Sequence, residues 1–413
     1  MKLTLGRTSL FALALAAVGV SASACAESER AVNAPSDQPD AAALPPAPTE
    51  AGAADAEVDA AIDVDAAPRV CSDHGFCHTA LPPDQTLEGV WGDGAGTVWA
   101  VTAEGNVLRW DGSAWSLHVS DLGPLRAIWG RSASELWIGG DEGLYHGTGP
   151  SPGAITFAPS ALEGGARVSI RSIWGASASD VWAVGERADD EVASGAVLHL
   201  VDGGATWALD PASANGIAYS HVWGSPGAGV WIAGQRPMPG ERPPWWPPEL
   251  EVAVLQRSPG ANAFAEAAVP GLPEPDPAAG RMESIYAAAA TSDTTMLVLG
   301  RIGAGRPALW RAATADGGKT FTWTYAFDGG YVDPVYRGVS GVAANDVWAV
   351  GDYGRVRHWN GTEWSPAAIT VTKMPVVDPF RAVWTGGTSD VWFVGKDIAL
   401  RYDPATKKDG GGK

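Results

Sequence analysis

The chain has 413 residues, with 47 acidic against 28 basic side chains and a formal net charge of −19. That balance excludes a surface built to neutralise a phosphate backbone, which needs clustered Lys and Arg, and it disfavours electrostatic attachment to an anionic membrane. With 52 Gly, 20 Trp and only 18% charged residues, the composition reads as many short strands and turns rather than helices.

In chain order the first element is an export signal. Lys2 and Arg7 precede an apolar run from Leu10 to Val20, too short to span a bilayer as a stable helix. The run ends in "SASAC", small residues before Cys25. This resembles the lipobox of bacterial lipoproteins, which implies removal of residues 1–24 and a lipid on Cys25. Ala22 stands where that motif usually has leucine, and plain secretory cleavage is the alternative. Ala26 is not the Asp that retains enteric lipoproteins in the inner membrane, so the resemblance implies an outer-membrane anchor, on either face.

Residues 25–68 are Ala, Pro, Asp and Glu with almost no large apolar side chains. Such a stretch cannot offset its ordering entropy and is expected to be a disordered, self-repelling tether. "CSDHGFC" follows. With Cys25 taken for lipid, Cys71 and Cys77 remain, and in an oxidising compartment they are expected to form a disulfide. The rival is a zinc site, for which no second Cys or His pair at finger spacing exists. Neither a metal nor a cofactor is expected.

From residue 89 one phrase recurs. Two tryptophans stand eight residues apart at Trp91/Trp99, Trp129/Trp137, Trp174/Trp182, Trp223/Trp231 and Trp384/Trp392. Ala289/Leu297 and Ser340/Trp348 hold the same places in two further copies, giving seven. Each copy has an apolar run ending in "WG", a turn, a second run such as "VWAVG", then a third run and another turn. Asp111-Gly112 and Asn360-Gly361 read as two-residue hairpin turns. The sum is four short antiparallel strands per copy, buried on both faces. Copies at this period signal a solenoid or a propeller.

Two copies carry "VDGGATW" and "TADGGKTF", which resemble the Asp-box of sialidase-like propellers. Thr314, Asp316, Gly318, Thr320 and Phe321 match that motif, and Asp202, Gly204, Thr206 and Trp207 match it except at Leu200. The resemblance implies a role in bracing the outer hairpin, not catalysis. The last copy stops at "DIALRYDP" without a fourth strand, while Phe76 precedes Trp91 at almost the spacing by which Trp115 precedes Trp129. The N-terminal segment is therefore expected to close the last copy and remove the exposed edges. These readings give an all-β seven-bladed propeller over residues 69–404, with a loose tail at 405–413. The repeats resemble exported "VWGSSASDVWAVG" lipoproteins of high-GC Gram-negative bacteria, a set that implies no particular activity.

The repeat allows equivalent positions to be compared at the expected mouth of the central channel. Three residues before the first tryptophan place stand Glu88, Arg126, Arg171, Ser220, Tyr286, Arg337 and Arg381. Just past the second run stand Ala103, Asp141, Glu186, Gln235, Arg301, Asp352 and Lys396. Arg126/Asp141, Arg171/Glu186 and Arg337/Asp352 either brace the blades as cross-strand ion pairs or form a mixed-charge rosette for an anionic or sugar ligand. Arg381 faces Lys396 rather than an acid, which makes it the best anion contact. In the fourth copy Trp245 and Trp246 sit boxed by prolines in a long loop, as a stiff aromatic surface or tucked against the blade edge. Ligand candidates are thus Trp245, Trp246, Arg381, Lys396, Arg301 and Tyr286.

Enzyme signals are sparse. "GPSPG" at 149–153 fits G-x-S-x-G, but its prolines and the lack of a following helix deny a nucleophile elbow. His146, His199 and His358 share one strand place. Asp141, Glu186 and Asp352 are the acids a glycosidase would need, yet arginine partners would keep them ionised. The function expected is a non-catalytic envelope binding or scaffolding module for a glycan or peptide. The alternatives are a glycoside hydrolase or lyase and an assembly factor for envelope proteins.

Overall fold

The computed structural model describes residues 70–187, 194–201, 206–238, 249–269, 282–302, 306–328, 335–367, 369 and 376–407. They form seven sheets, antiparallel except for one added strand, arranged as a ring, a β-propeller. The innermost strands, in blade order 1 to 7, are Leu87–Gly92, Leu125–Ser132, Val168–Ser177, Ala218–Ser225, Met282–Ser292, Tyr336–Ala343 and Phe380–Gly387. Each is packed against the next, and blade 7 returns to blade 1. Among the described residues no helix is long and apolar enough to cross a membrane.

The two tryptophans of each copy are cross-strand partners: Trp91 faces Trp99, Trp129 faces Trp137, and Trp384 faces Trp392. Second strands such as Val98–Thr102 are buried at every position, because sheets flank both of their faces. The "WG" dipeptide has a packing cause. A β-carbon on Gly175 would come within 2.6 Å of the Trp129 ring, and one on Gly92 would meet Trp384 at the same distance. The same holds between Gly130 and Trp91 at 2.9 Å. These three indoles thus lie over the glycine of the following blade, and there the dipeptide joins neighbouring blades rather than serving one.

Phe76–His78 is the outermost strand of blade 7, with Phe76 opposite Tyr402 and His78 opposite Leu400. Phe76 is 2% exposed and packs between Trp348, Phe393 and Tyr402. Cys77, within this latch, is disulfide-bonded to Cys71. Thr79 donates to the Ala399 carbonyl and accepts from Trp115 Nε1, carrying the latch across to blade 1.

Two local expectations change. The turns at Asp111 and Asn360 span four residues, not two, since Trp110 pairs with Trp115 and Trp359 with Trp364. Only Gly112 and Gly361 take positive φ; the Asp111 and Asn360 carboxylate and amide oxygens instead accept the backbone N–H groups across the turn. Blade 3 has a fifth strand, Ala161–Leu162, which runs parallel to Thr206–Leu209 and covers its outer edge. In blade 5 the turn after Ala313 is closed around Asp316, which accepts from Thr314, Lys319 and Thr320. Phe321 meets Trp231 edge-on. In blade 3 Trp207 is buried, while Asp202 and Gly204 lie outside the described residues.

Candidate functional site: the channel mouth

At one equivalent place, each innermost strand skips a residue in its pairing with the second strand. The register jumps from Leu87 to Gly89, Leu125 to Ala127, Ile170 to Ser172, Tyr219 to His221, Ile285 to Ala287, Tyr336 to Gly338 and Phe380 to Ala382. The skipped residues are Glu88, Arg126, Arg171, Ser220, Tyr286, Arg337 and Arg381. All seven positions aligned from the sequence as the mouth ring are therefore β-bulges. A bulge frees a side chain from the alternation of the strand and re-aims it. The ladder itself is unaffected by which residue stands there, so this ring can vary while the blades stay alike.

The arginines of this ring are held in place. Arg126 donates from Nε and Nη2 to the two Asp141 oxygens at 3.1 Å each, and Ser169 of blade 3 donates to the same carboxylate. Arg337 grips Asp352 in the same side-on way at 2.6 and 3.1 Å. Arg171 Nε stands 3.5 Å from Glu186. This side-on geometry uses the Nε edge and leaves Nη1 outside the pair. The hydrogen bond from Arg126 holds the Asp141 carboxyl below its ordinary range, which suits an orienting anion and not a general acid. Pairs this exposed contribute only about 0–1 kcal/mol to stability, so the fold does not depend on them.

Arg381 departs from the sequence expectation. The place facing it in its own hairpin is Lys396, but Glu88 of blade 1 stands 3.9 Å from its Nε across the closure of the ring. Lys396 is exposed, and its backbone forms a bridge with Thr86 of blade 1. Arg301 donates to Glu283 at 2.7 Å. Tyr286 lines the channel, and its bulge carbonyl accepts from His221 Nε2 at 3.1 Å. Trp245 and Trp246 lie outside the described residues.

Below the mouth the wall narrows to small residues at Gly89, Ala127, Ser172, Ala287, Gly338 and Ala382, with His221 alone standing out. Next come Trp91, Trp129, Trp174, Trp223 and Trp384, interrupted on one side by Ala289 and Ser340. The channel encloses about 510 Å³, within the roughly 300–1,000 Å³ of small-ligand pockets. Sequence reasoning missed His221. Its signal was present: an imidazole in a column otherwise limited to Gly, Ala and Ser.

His146, His199 and His358 each sit opposite the second tryptophan of their blade and stack on it, at 4.4, 3.6 and 4.0 Å. Each is also paired with an acid two residues before that tryptophan: Glu135, Asp180 and Asp346. Ser151 of "GPSPG" is exposed at a turn that leads into a three-residue 3₁₀ segment, without the strand-turn-helix frame of an esterase.

No family model and no curated protein matches the chain. Solved structures do. The chain is similar to YCF48 bound to D1 peptide, with a TM-score of 0.55 and 15% identity over 82% of this chain and 99% of that one. YCF48 from Cyanidioschyzon merolae gives a TM-score of 0.56 at 15% identity, covering 80% and 99%. The extracellular domain of the two-component system protein BT4673 from B. thetaiotaomicron gives 0.54 at 11%, covering 79% of this chain and 40% of that one. At such identities the likeness establishes the seven-bladed propeller and nothing finer.

Proposed function

We propose that the chain is an exported binding module that holds an acid-bearing, extended segment of a partner protein over its channel mouth, and that it is a scaffold rather than an enzyme. The observation that carries this reading is the ring of bulges, four of whose seven residues are arginine. Two of them, Arg126 and Arg337, are gripped by an acid at the Nε edge and the other two have an acid within 4 Å of it, which leaves further donors for a ligand carboxylate. Such pre-set donors bind at little ordering cost. The solved YCF48 structure holding a D1 peptide supports the class of ligand. Export with a lipid on Cys25 and an outer-membrane anchor, as the lipobox resemblance implies, would place the module in the envelope.

The test is selection of a phage-displayed library of random peptides on the purified chain. Enrichment of Asp- and Glu-bearing sequences, lost on the double variant Arg126→Ala/Arg337→Ala, is the expected result. Peptides without acidic bias, or binding that survives in that variant, would overturn the reading.

A further inference from the structure

On the face opposite the mouth, a cleft of about 500 Å³ opens between blades 3 and 4. Its walls are the turns after the first strands of these blades and the blade 4 turn Ser258–Asn262. Trp174 separates it from the channel and faces both. Asp180 and His199 line it, joined at 2.7 Å, with Trp182 Nε1 donating to the same Asp180 oxygen at 2.8 Å.

A carboxylate–imidazole pair stacked on an indole alone marks no site, because blade 6 repeats it with Asp346, His358 and Trp348, there without a bond from the indole N–H. What differs is its cover. The residue opposite the position just before the second tryptophan is Trp110, Gly147, Leu200, Ala312, Trp359 and Tyr402 in six blades. Two of the large ones pack back on the preceding blade: Trp110 lies on Trp392 and Tyr402 on Trp348. In blade 4 that place holds Arg257. Its guanidinium lies 5.1 Å over the Trp182 ring, and its Nε donates to the Ala261 carbonyl. A strand position closed elsewhere by apolar or small side chains thus carries a fixed cation, beside a carboxylate and next to an open cleft. Asp180 has one oxygen outside the bonds to His199 and Trp182.

The cleft therefore combines an indole wall with planar donors and acceptors of both signs: the Asp180 carboxylate, the Arg257 guanidinium and the Asn262 amide. An apolar face edged by hydroxyls, each both donor and acceptor, matches this lining; a phosphate would meet Asp180. We propose that this cleft is a saccharide site, with a sugar ring against Trp174 and its hydroxyls bonded to Asp180, Arg257 and Asn262. The volume fits a mono- to disaccharide portion of a chain. The site is independent of the peptide reading of the mouth.

Isothermal titration calorimetry of the full chain with maltotriose, cellotriose, mannotriose, chitotriose and trigalacturonate tests it. At least one of these saturates a single site. Arg257→Leu, which installs the residue of blade 3, and Asp180→Asn each weaken that binding by about tenfold or more. Asp346→Asn, the same change beneath Tyr402, leaves it unchanged and controls for damage to the fold. Arg126→Ala/Arg337→Ala at the mouth also leaves it unchanged, so the two sites fail separately. The proposal is overturned if none of the five sugars saturates, if both cleft variants bind as the parent does, or if Asp346→Asn loses as much as Asp180→Asn.

Discussion

His221 of blade 4 donates from Nε2 to the Tyr286 carbonyl of blade 5 at 3.1 Å, and its Nδ1 lies 2.8 Å from Ser220 Oγ. The bond to a carbonyl fixes the proton on Nε2, so Nδ1 accepts from the serine. The ring is neutral and joins two blades at the bulge, where the strand ladder supplies no partner.

A pH dependence follows. Burial lowers the His221 pKa below 6.5. As pH falls from 6.5 the unfolded chain takes up a proton and the folded one resists it, so this contribution is full above 6.5 and is lost toward the folded value. His221→Leu leaves the carbonyl unpaired and lowers stability by about 1–3 kcal/mol. Urea unfolding across pH 5–8 should show a shallower slope in the variant than in the parent. His78 and His146, also lowered by burial, titrate alike in both.

The latch carries a large share of the ring's closure. Phe76→Ala removes a 2% exposed ring from among three aromatics and should cost about 3–5 kcal/mol by denaturant melts. Cys71→Ser/Cys77→Ser should cost about 2 kcal/mol, as a loop this short constrains the unfolded chain only modestly. Equal stability of Phe76→Ala and the parent would mean that the ring holds without its N-terminal strand.

The glycine under each of Trp91, Trp129 and Trp384 should be intolerant of a methyl group. Gly175→Ala drives a β-carbon into Trp129, against 2.6 Å of space, and should cost about 1–3 kcal/mol. Gly387→Ala, with nothing within 4 Å, should change stability by no more than about 0.5 kcal/mol. Thermal unfolding of the two variants side by side decides the point.

Turn carboxylates set the acid limb. Asp111 is lowered to about 2 by the backbone N–H of Ala114 and the Ser113 side chain, and Asp316 is lowered further by Thr320. Both contributions are present above 3.8 and fade as pH falls toward the folded values. Asp111→Asn/Asp316→Asn should flatten the loss of thermal stability below pH 4. An unchanged acid limb would mean that these turns do not sense the proton.

The blade count was legible because the paired tryptophans are true cross-strand partners, and a buried pair repeated at one spacing leaves a periodic mark. The ring position of Arg126, Arg171 and Arg337 was legible from the same frame. The bulges were not: a bulge is defined by hydrogen bonds, and Glu88, Ser220 and Tyr286 share no side-chain chemistry. The partner of Arg381 was hidden because Glu88 lies nearly three hundred residues earlier and meets it only when the ring closes. Arg257 looked like any strand arginine until the six other covers stood beside it. The turns at Asp111 and Asn360 were misjudged because Asp-Gly and Asn-Gly serve both a two-residue turn and a side-chain-capped longer one.

The pairing of Phe76 with Tyr402 has a temporal consequence. During synthesis Phe76–His78 is made before any blade, and its partner Ile398–Tyr402 comes last. Six blades can stack in order as they emerge, while the opening segment waits for the closing one. The long-range contact that completes the circle is then the slowest to form. A chain cut before Ile398 would keep its other strands, Arg381 and Glu88 included, and lack only the strand that Phe76–His78 pairs with, so intact rings and interrupted ones should separate cleanly by protease resistance.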